Sequence, residues 1–339
     1  MAAIPSCGAF DGCGVEGGGA SPAWFPHHDK KSTSVSRNLA TAEWYQDYTR
    51  FVHLKGLSER SVRSYLGWAA QLADHYPDQP LPDLDSRQVL DFLLHLQGER
   101  KLAPATLNQA VCALRTFYRD HLRKTWKIWA QIKIRREDPL PHVLTRGEVA
   151  RLLGTFRDGR YRAYFTLVYQ CGLRMSEALH IRPKDIDGER QVLRVLHTKG
   201  GKPREVPLSP ALIERLRTFW KWHRNKHWLF PAPGRGWKSS GISLKQALRD
   251  SRKPMTKASV WVAIKCAKHE CGLMKHHDKV CIHTLRHSYA THMLEAGTSV
   301  RQVAAYLGHT TLKPTMVYLH LTEVSEEKAR AALATLPGA

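Results

Sequence analysis

Apolar residues recur at helical spacing in four successive blocks of the N-terminal half. Trp44, Tyr48, Phe51 and Leu54 lie three or four apart, and Gly56 fits the end of that block. Val62, Tyr65, Leu66, Ala69, Leu72 and Ala73 define a second helix that starts near Ser58. Val89, Phe92, Leu93 and Leu96 give a third over 86–98, and Leu107, Val111, Leu114, Phe117 and Tyr118 a fourth over 105–122. Pro77, Pro80 and Pro82 separate the second helix from the third. Four helices of this length bury a small core of their own, so residues 39–125 read as a helical domain. Residues 126–141 carry Lys127, Lys133, Arg135 and Arg136, then Pro139 and Pro141, the composition of an extended basic linker.

Beyond the linker, Val149, Leu152 and Leu153 follow Thr145, and 160–171 is strongly apolar up to Gly172. The period then changes to two over Val192 to His197 and Arg204 to Leu208, which predicts a hairpin whose turn is Thr198-Lys199-Gly200-Gly201-Lys202. Helical periodicity returns over 210–226 and 258–272, in three short segments between His283 and Tyr318, and over 322–336. The fold class expected is therefore mainly α with a small antiparallel β-sheet, its second domain spanning 142–339. Residues 1–38 are rich in Gly, Ser, Cys and Pro without periodicity, and are expected to form a disordered leader.

Composition narrows the function. The chain has 339 residues, 42% of them hydrophobic, enough for a sizeable core. No apolar run approaches the roughly 18 residues that span a bilayer, and the start lacks the form of a secretory signal. A cytoplasmic, nucleoid-associated protein is expected. Lys plus Arg number 52 against 30 Asp plus Glu, a formal charge of +22, which points to a polyanionic partner. The excess concentrates between Arg217 and Lys279, where fifteen basic residues face three acids among Trp220, Trp222, Trp228, Trp237 and Trp261. A solvated basic face over a tryptophan core would look similar, but the length of the run favours nucleic acid. The candidate DNA contacts are Arg63, Arg115 and Arg119 on the N-terminal helices, Lys133, Arg135 and Arg136 in the linker, and Lys202, Lys257 and Lys265 in the second domain.

The seven cysteines show no paired spacing and are expected as reduced thiols. Cys266, His269, Cys271, His276, His277 and Cys281 could supply four soft ligands, but their irregular spacing, with Cys266 inside a helical pattern, argues against a structural zinc. No metal and no other cofactor is expected.

The chemistry concentrates between His283 and Tyr318. His283 precedes Arg286 by three residues and shares a helix face with it. His309 follows Gly308 after a helix whose Ser299 and Gln302 have capping-box spacing, and Tyr318 lies nine residues further on. Arg174, after Gly172-Leu173, adds a second planar cation. Two guanidinium groups suit a phosphate whose free oxygens gain charge during attack. Lys199 at the hairpin tip, with Lys202 as its competitor, could protonate a departing 5′ oxygen.

Together, Gly172-Leu173-Arg174-Met175-Ser176-Glu177, the hairpin lysine, His283-Thr284-Leu285-Arg286-His287, Leu307-Gly308-His309 and Tyr318 resemble the tyrosine recombinases, or phage-integrase family, in order and spacing over about residues 41–333. The resemblance implies a SAM-like core-binding domain followed by a DNA breaking–rejoining catalytic domain. It implies that Tyr318 attacks a DNA phosphodiester to form a 3′-phosphotyrosyl link and that Arg174, Arg286 and His309 hold the non-bridging oxygens. By the same likeness His283 assists proton transfer at the tyrosine, Lys199 acts as general acid and Glu177 orients its neighbours. It further implies double-stranded recombination sites, Holliday junctions among them, as partners, and a homotetramer built by passing the C-terminal helix between protomers. Two departures stand out: Tyr318 is followed by Leu319-His320 where many members carry Thr-His, and the hairpin has an extra residue and Pro203. A type IB topoisomerase would use a similar set of residues as a monomer. A non-catalytic DNA-binding protein would not need every one of these positions filled. A mobile element is the expected setting.

Overall fold

A computed structural model of the protein describes residues 42–134, 140–196, 202–273 and 280–319. The expected leader, Arg135 and Arg136, the hairpin tip with Lys199, His276 and His277, and the expected helix over 322–336 lie outside the described residues. The chain divides into two units, Met1–Asp138 and Pro139–Ala339.

The first unit packs α1 (Glu43–Leu54), α2 (Glu59–His75), α3 (Ser86–Gly98) and α4 (Pro104–Arg115) around Tyr48, Leu72, Phe92, Leu96 and Leu114. Ser58 caps α2, and Asp85 with Gln88 forms a capping box on α3. α4 runs on into a π-helical segment, Thr116–His121. Phe117 and Tyr118 of that segment are fully buried, and the Tyr118 hydroxyl donates to the Leu81 carbonyl at 2.7 Å.

Residues 126–134, expected as extended linker, instead fold onto this core and include α5 (Ile128–Gln131). Trp126 stacks on Tyr118 with centroids 4.6 Å apart, and Ile128, Trp129, Ile132 and Ile134 pack against the same cluster. The lysines and prolines suggested solvent, but two tryptophans and three isoleucines in nine residues bury more apolar surface than a linker would leave exposed. Lys124 reaches the carbonyls of Pro82 and Leu84 and lies over the Tyr118 and Trp126 rings.

In the second unit, α6 (Arg146–Thr155) starts at a Thr145–Glu148 capping box. α7 (Gly159–Gln170) is central, with six consecutive residues, Ala163 to Val168, buried. After α8 (Met175–Leu179) comes an antiparallel sheet of β1 (Ile186–Asp187), β2 (Val192–Val195) and β3 (Arg204–Pro207) in that order. Leu193 pairs with Val206 and Val195 with Arg204, so the two expected strands do pair, with β1 as an added edge. α9 (Pro210–His223), α10 (Leu244–Asp250) and α11 (Lys257–Glu270) complete the outer layers. α12 (Ile282–Glu295), α13 (Val300–Leu307) and α14 (Lys313–Leu319) are the three short helices read from the sequence. None of the helices among the described residues is long and apolar enough to cross a membrane.

α9 ends where Arg224 adopts φ 52°, and the next residue, Asn225, is fully buried. Its Nδ2 donates to the carbonyls of Leu248, Arg249 and Ser251, and its Oδ1 accepts from the amides of His227 and Trp228, clasping α10 to the end of α9. Asn225→Ala strands these buried groups and is expected to destabilise the second unit by about 1–3 kcal/mol. Chemical denaturation measures it; an unchanged midpoint would show that the clasp contributes nothing.

Candidate active site

Gly172 closes α7 with φ 57°, and a Cβ there would run into the ring of Tyr289 and the side chain of Leu307. This turn sets Arg174 at the N-terminus of α8. The Arg174 amide and its Nη1 both donate to Glu177, each at 2.8 Å. Glu177 is 1% exposed, and Arg204 grips both its oxygens, at 3.1 and 2.8 Å. Burial alone would raise that carboxyl, but hydrogen bonds and charge from Arg204, then Arg174, hold it at about 2. Arg286 Nη1 stands 4.0 Å from the same carboxylate. Three guanidinium groups around one carboxylate leave this cluster with a net charge of +2.

Arg286 lies on α12, a helix buried on most sides, so its polar groups must find partners inside the protein. Nη1 donates to the Gly172 carbonyl and Nη2 to the Leu307 carbonyl, both at 2.7 Å. Burial and the charge of Arg174 pull its pKa down to about 10, which leaves it charged at neutral pH. Nη2 is also 3.1 Å from His309 Nε2. An arginine only donates, so Nε2 accepts here and the ring carries its proton on Nδ1, which faces Thr315 Oγ1 at 2.7 Å. Burial, then Arg286 and Arg174, lower His309 to about 4, consistent with a neutral ring. The Ser299–Gln302 capping box starts α13, and Gly308, at φ 67°, ends that helix and delivers His309.

Tyr318 on α14 is 4% exposed. Burial raises its pKa, opposed by the charges of Arg286 and Arg174. Its hydroxyl lies 2.8 Å from Nδ1 of His287, whose own pKa falls to about 4 through burial and then His283. The pair is thus a neutral hydrogen bond, whose direction follows the tautomer of His287. His283, the expected proton-transfer partner, is exposed one turn earlier on α12, its ring centroid 6.5 Å from that of His287. Desolvation and then Arg286 hold its pKa below the usual histidine value.

The structure brings Arg174, Glu177, Arg286, His309 and Tyr318 together, and adds Arg204 and His287. Both additions had a sequence signal. His287 follows His283 by four residues, one helical turn, and Arg204 alternates with Val206 and Leu208 on the inward face of a strand. Of the expected DNA contacts, Arg63, Lys133, Lys202, Lys257 and Lys265 are exposed. Arg119 is exposed but pairs with Asp120 at 2.7 Å, and Arg115 is half-buried with a guanidinium nitrogen 3.9 Å from Cys112 Sγ. Trp261 is 48% exposed one turn from Lys265 on α11. No group of three metal-ligating side chains is found among the described residues.

Residues 142–324 match the phage integrase family model, and residues 44–128 match the phage integrase N-terminal SAM-like domain. A putative integrase/recombinase of Sinorhizobium fredii is 36% identical over 273 residues, covering 80% of this chain and 82% of that protein. The tyrosine recombinase XerA of Thermococcus onnurineus is 28% identical over 298 residues, covering 86% and 96%. The chain belongs to the phage integrase family, and with it to the site-specific recombinases. In fold it is similar to the XerH site-specific recombinase bound to a palindromic difH substrate, with a TM-score of 0.64, 19% identity and coverage of 90% of this chain and 89% of that one. A lambda integrase dimer bound to a COC′ core site gives a TM-score of 0.61 at 17% identity, covering 81% and 93%.

Folded pKa values of about 4 for His287 and His309, against the usual 6.5, set the sign of the pH dependence. As pH falls from about 6.5 to 4, the unfolded chain takes up protons that these sites refuse, so stability falls. His223, also at about 4, acts in the same direction. The thermal midpoint should drop less between pH 7.5 and 5 in the His287→Asn/His309→Asn protein than in the natural one. Equal drops would remove these two histidines from the linkage.

Proposed function

We propose that the chain cuts and rejoins double-stranded DNA at specific sites through a covalent 3′-phosphotyrosyl link to Tyr318. The observation that carries this reading is a buried phenol within the electrostatic reach of Arg286 and Arg174, in a cluster with a net charge of +2. Tyr318 Oη attacks phosphorus, the bond to the 5′ oxygen breaks, and Lys199 gives that oxygen its proton. The phenolic proton passes to the His287–His283 pair. Arg174 and Arg286 stabilise the non-bridging oxygens as they gain charge. A phosphate at this point raises the pKa of His309, so that Nε2 can carry a proton and donate as well. The phosphotyrosine conserves the energy of the broken phosphodiester, and a second 5′ hydroxyl reseals the strand.

The charge of +22 and the exposed Lys133, Lys202, Lys257 and Lys265 suit a duplex partner, as do the DNA complexes of XerH and lambda integrase. The reading extends to a homotetramer holding two sites, with a Holliday junction between the two strand exchanges and residues 322–336 passed to a neighbour. The setting is the nucleoid, in the service of a mobile element.

A nicked suicide duplex carrying inverted repeats around a short spacer, sought in the DNA flanking the gene, tests the reading. Tyr318→Phe should bind it as the natural protein does and form no covalent adduct, whereas Arg286→Ala should slow adduct formation by about 10²–10³. An adduct from Tyr318→Phe would mean another nucleophile. Relaxation of a plasmid lacking the repeats, with no recombinant product, would favour a topoisomerase.

A further inference from the structure

We propose that Arg204 is a positioning residue that ties β3 to both arms of the phosphate-binding cluster. It is the first residue of β3, and the alternation of the strand puts it on the face of Val206 and Leu208, 0% and 4% exposed. Its side chain is only 8% exposed. A guanidinium on an apolar face is unfavourable unless its donors are satisfied, and those of Arg204 are engaged by protein groups. Nε donates to the Tyr306 carbonyl at 2.6 Å, and the two terminal nitrogens take one Glu177 oxygen each. Arg174, by contrast, gives Glu177 one side-chain nitrogen and keeps 24% exposure. The division of labour follows: Arg174 has donors to spare for a phosphate, while Arg204 holds the carboxylate that aims Arg174.

The second arm runs through α13. Tyr306 lies in its last turn, two residues before Gly308, and a Cβ at 308 would come within 3.0–3.2 Å of the Arg204 guanidinium. Arg204 is thus seated under the turn that delivers His309. On its N-terminal side, four residues separate it from Lys199 in the sequence. A tilt of the β2–β3 hairpin therefore reaches Arg174, through Glu177, and His309, through the Tyr306 carbonyl, by way of one side chain. The geometry couples the placement of β3 to the placement of the phosphate donors.

This inference rests on the proposed phosphotyrosyl chemistry, and the full-length protein on the nicked suicide duplex tests it. Arg204→Met should keep its circular dichroism and bind the duplex within about threefold, yet form the adduct about 100-fold more slowly at saturating DNA, with partial rescue in Arg204→Lys. Arg204→Met/Glu177→Gln removes both charges and should show the same loss, so a folding defect from a stranded carboxylate is separated from the effect. Because Arg204 acts through Arg174, Arg174→Lys should add little to the loss once Arg204→Met is present. A natural adduct rate in Arg204→Met, a loss confined to duplex binding, or losses that multiply in full would each overturn the proposal. If the natural protein forms no adduct, the chemistry proposed above fails instead.

Discussion

Glu177 is 1% exposed and still ionised, a state that holds only because Arg204 grips both its oxygens while Arg174 offers its amide and one side-chain nitrogen. Taking a carboxylate out of water costs several kcal/mol, and close, well-aligned donors are needed to offset it. That requirement places each group around it. α8 starts where the Arg174 amide meets the carboxylate, β3 starts where Arg204 reaches it, and Arg286 stops 4.0 Å away. The cluster is not neutralised, and the remaining positive charge is what a phosphodiester would meet.

α12 meets a similar constraint from the other side. It is buried on most faces yet carries Thr284, Arg286, Ser288, Thr291 and His292 in its interior. Arg286 finds two carbonyls, those of Gly172 and Leu307, at the ends of two other helices. The Gly172 turn must be left-handed and free of a Cβ for that approach, which is the physical content of Gly172-Leu173-Arg174. Ser288 accepts from the Leu144 amide, so the same helix also fastens the entry to the second unit.

Where sequence reading fell short, the cause was a competition between two signals in one stretch. Residues 126–134 combine lysines with tryptophans and isoleucines, and burial of the apolar members decided the outcome. The two-residue alternation puts Arg204 on the inward face of a strand, but nothing local names its partner there, a carboxylate 27 residues earlier. His287 follows His283 by one turn, but its contact with Tyr318 spans 31 residues. β1, two residues long, is too short for periodicity to show.

The sequence by itself determined the helical domains, the hairpin, the basic surface and the identities of Arg174, Arg286, His309 and Tyr318. These follow from local periodicity, capping pairs and ordered motifs, all of which act over a few residues. Only the tertiary structure decided which histidine meets the phenol and which tautomer His309 adopts. It also decided that Glu177 is a shared anchor rather than a neighbour of one arginine. Those choices depend on burial and on hydrogen bonds between residues far apart in the chain, where desolvation makes each unpaired group costly and leaves few arrangements that satisfy them all.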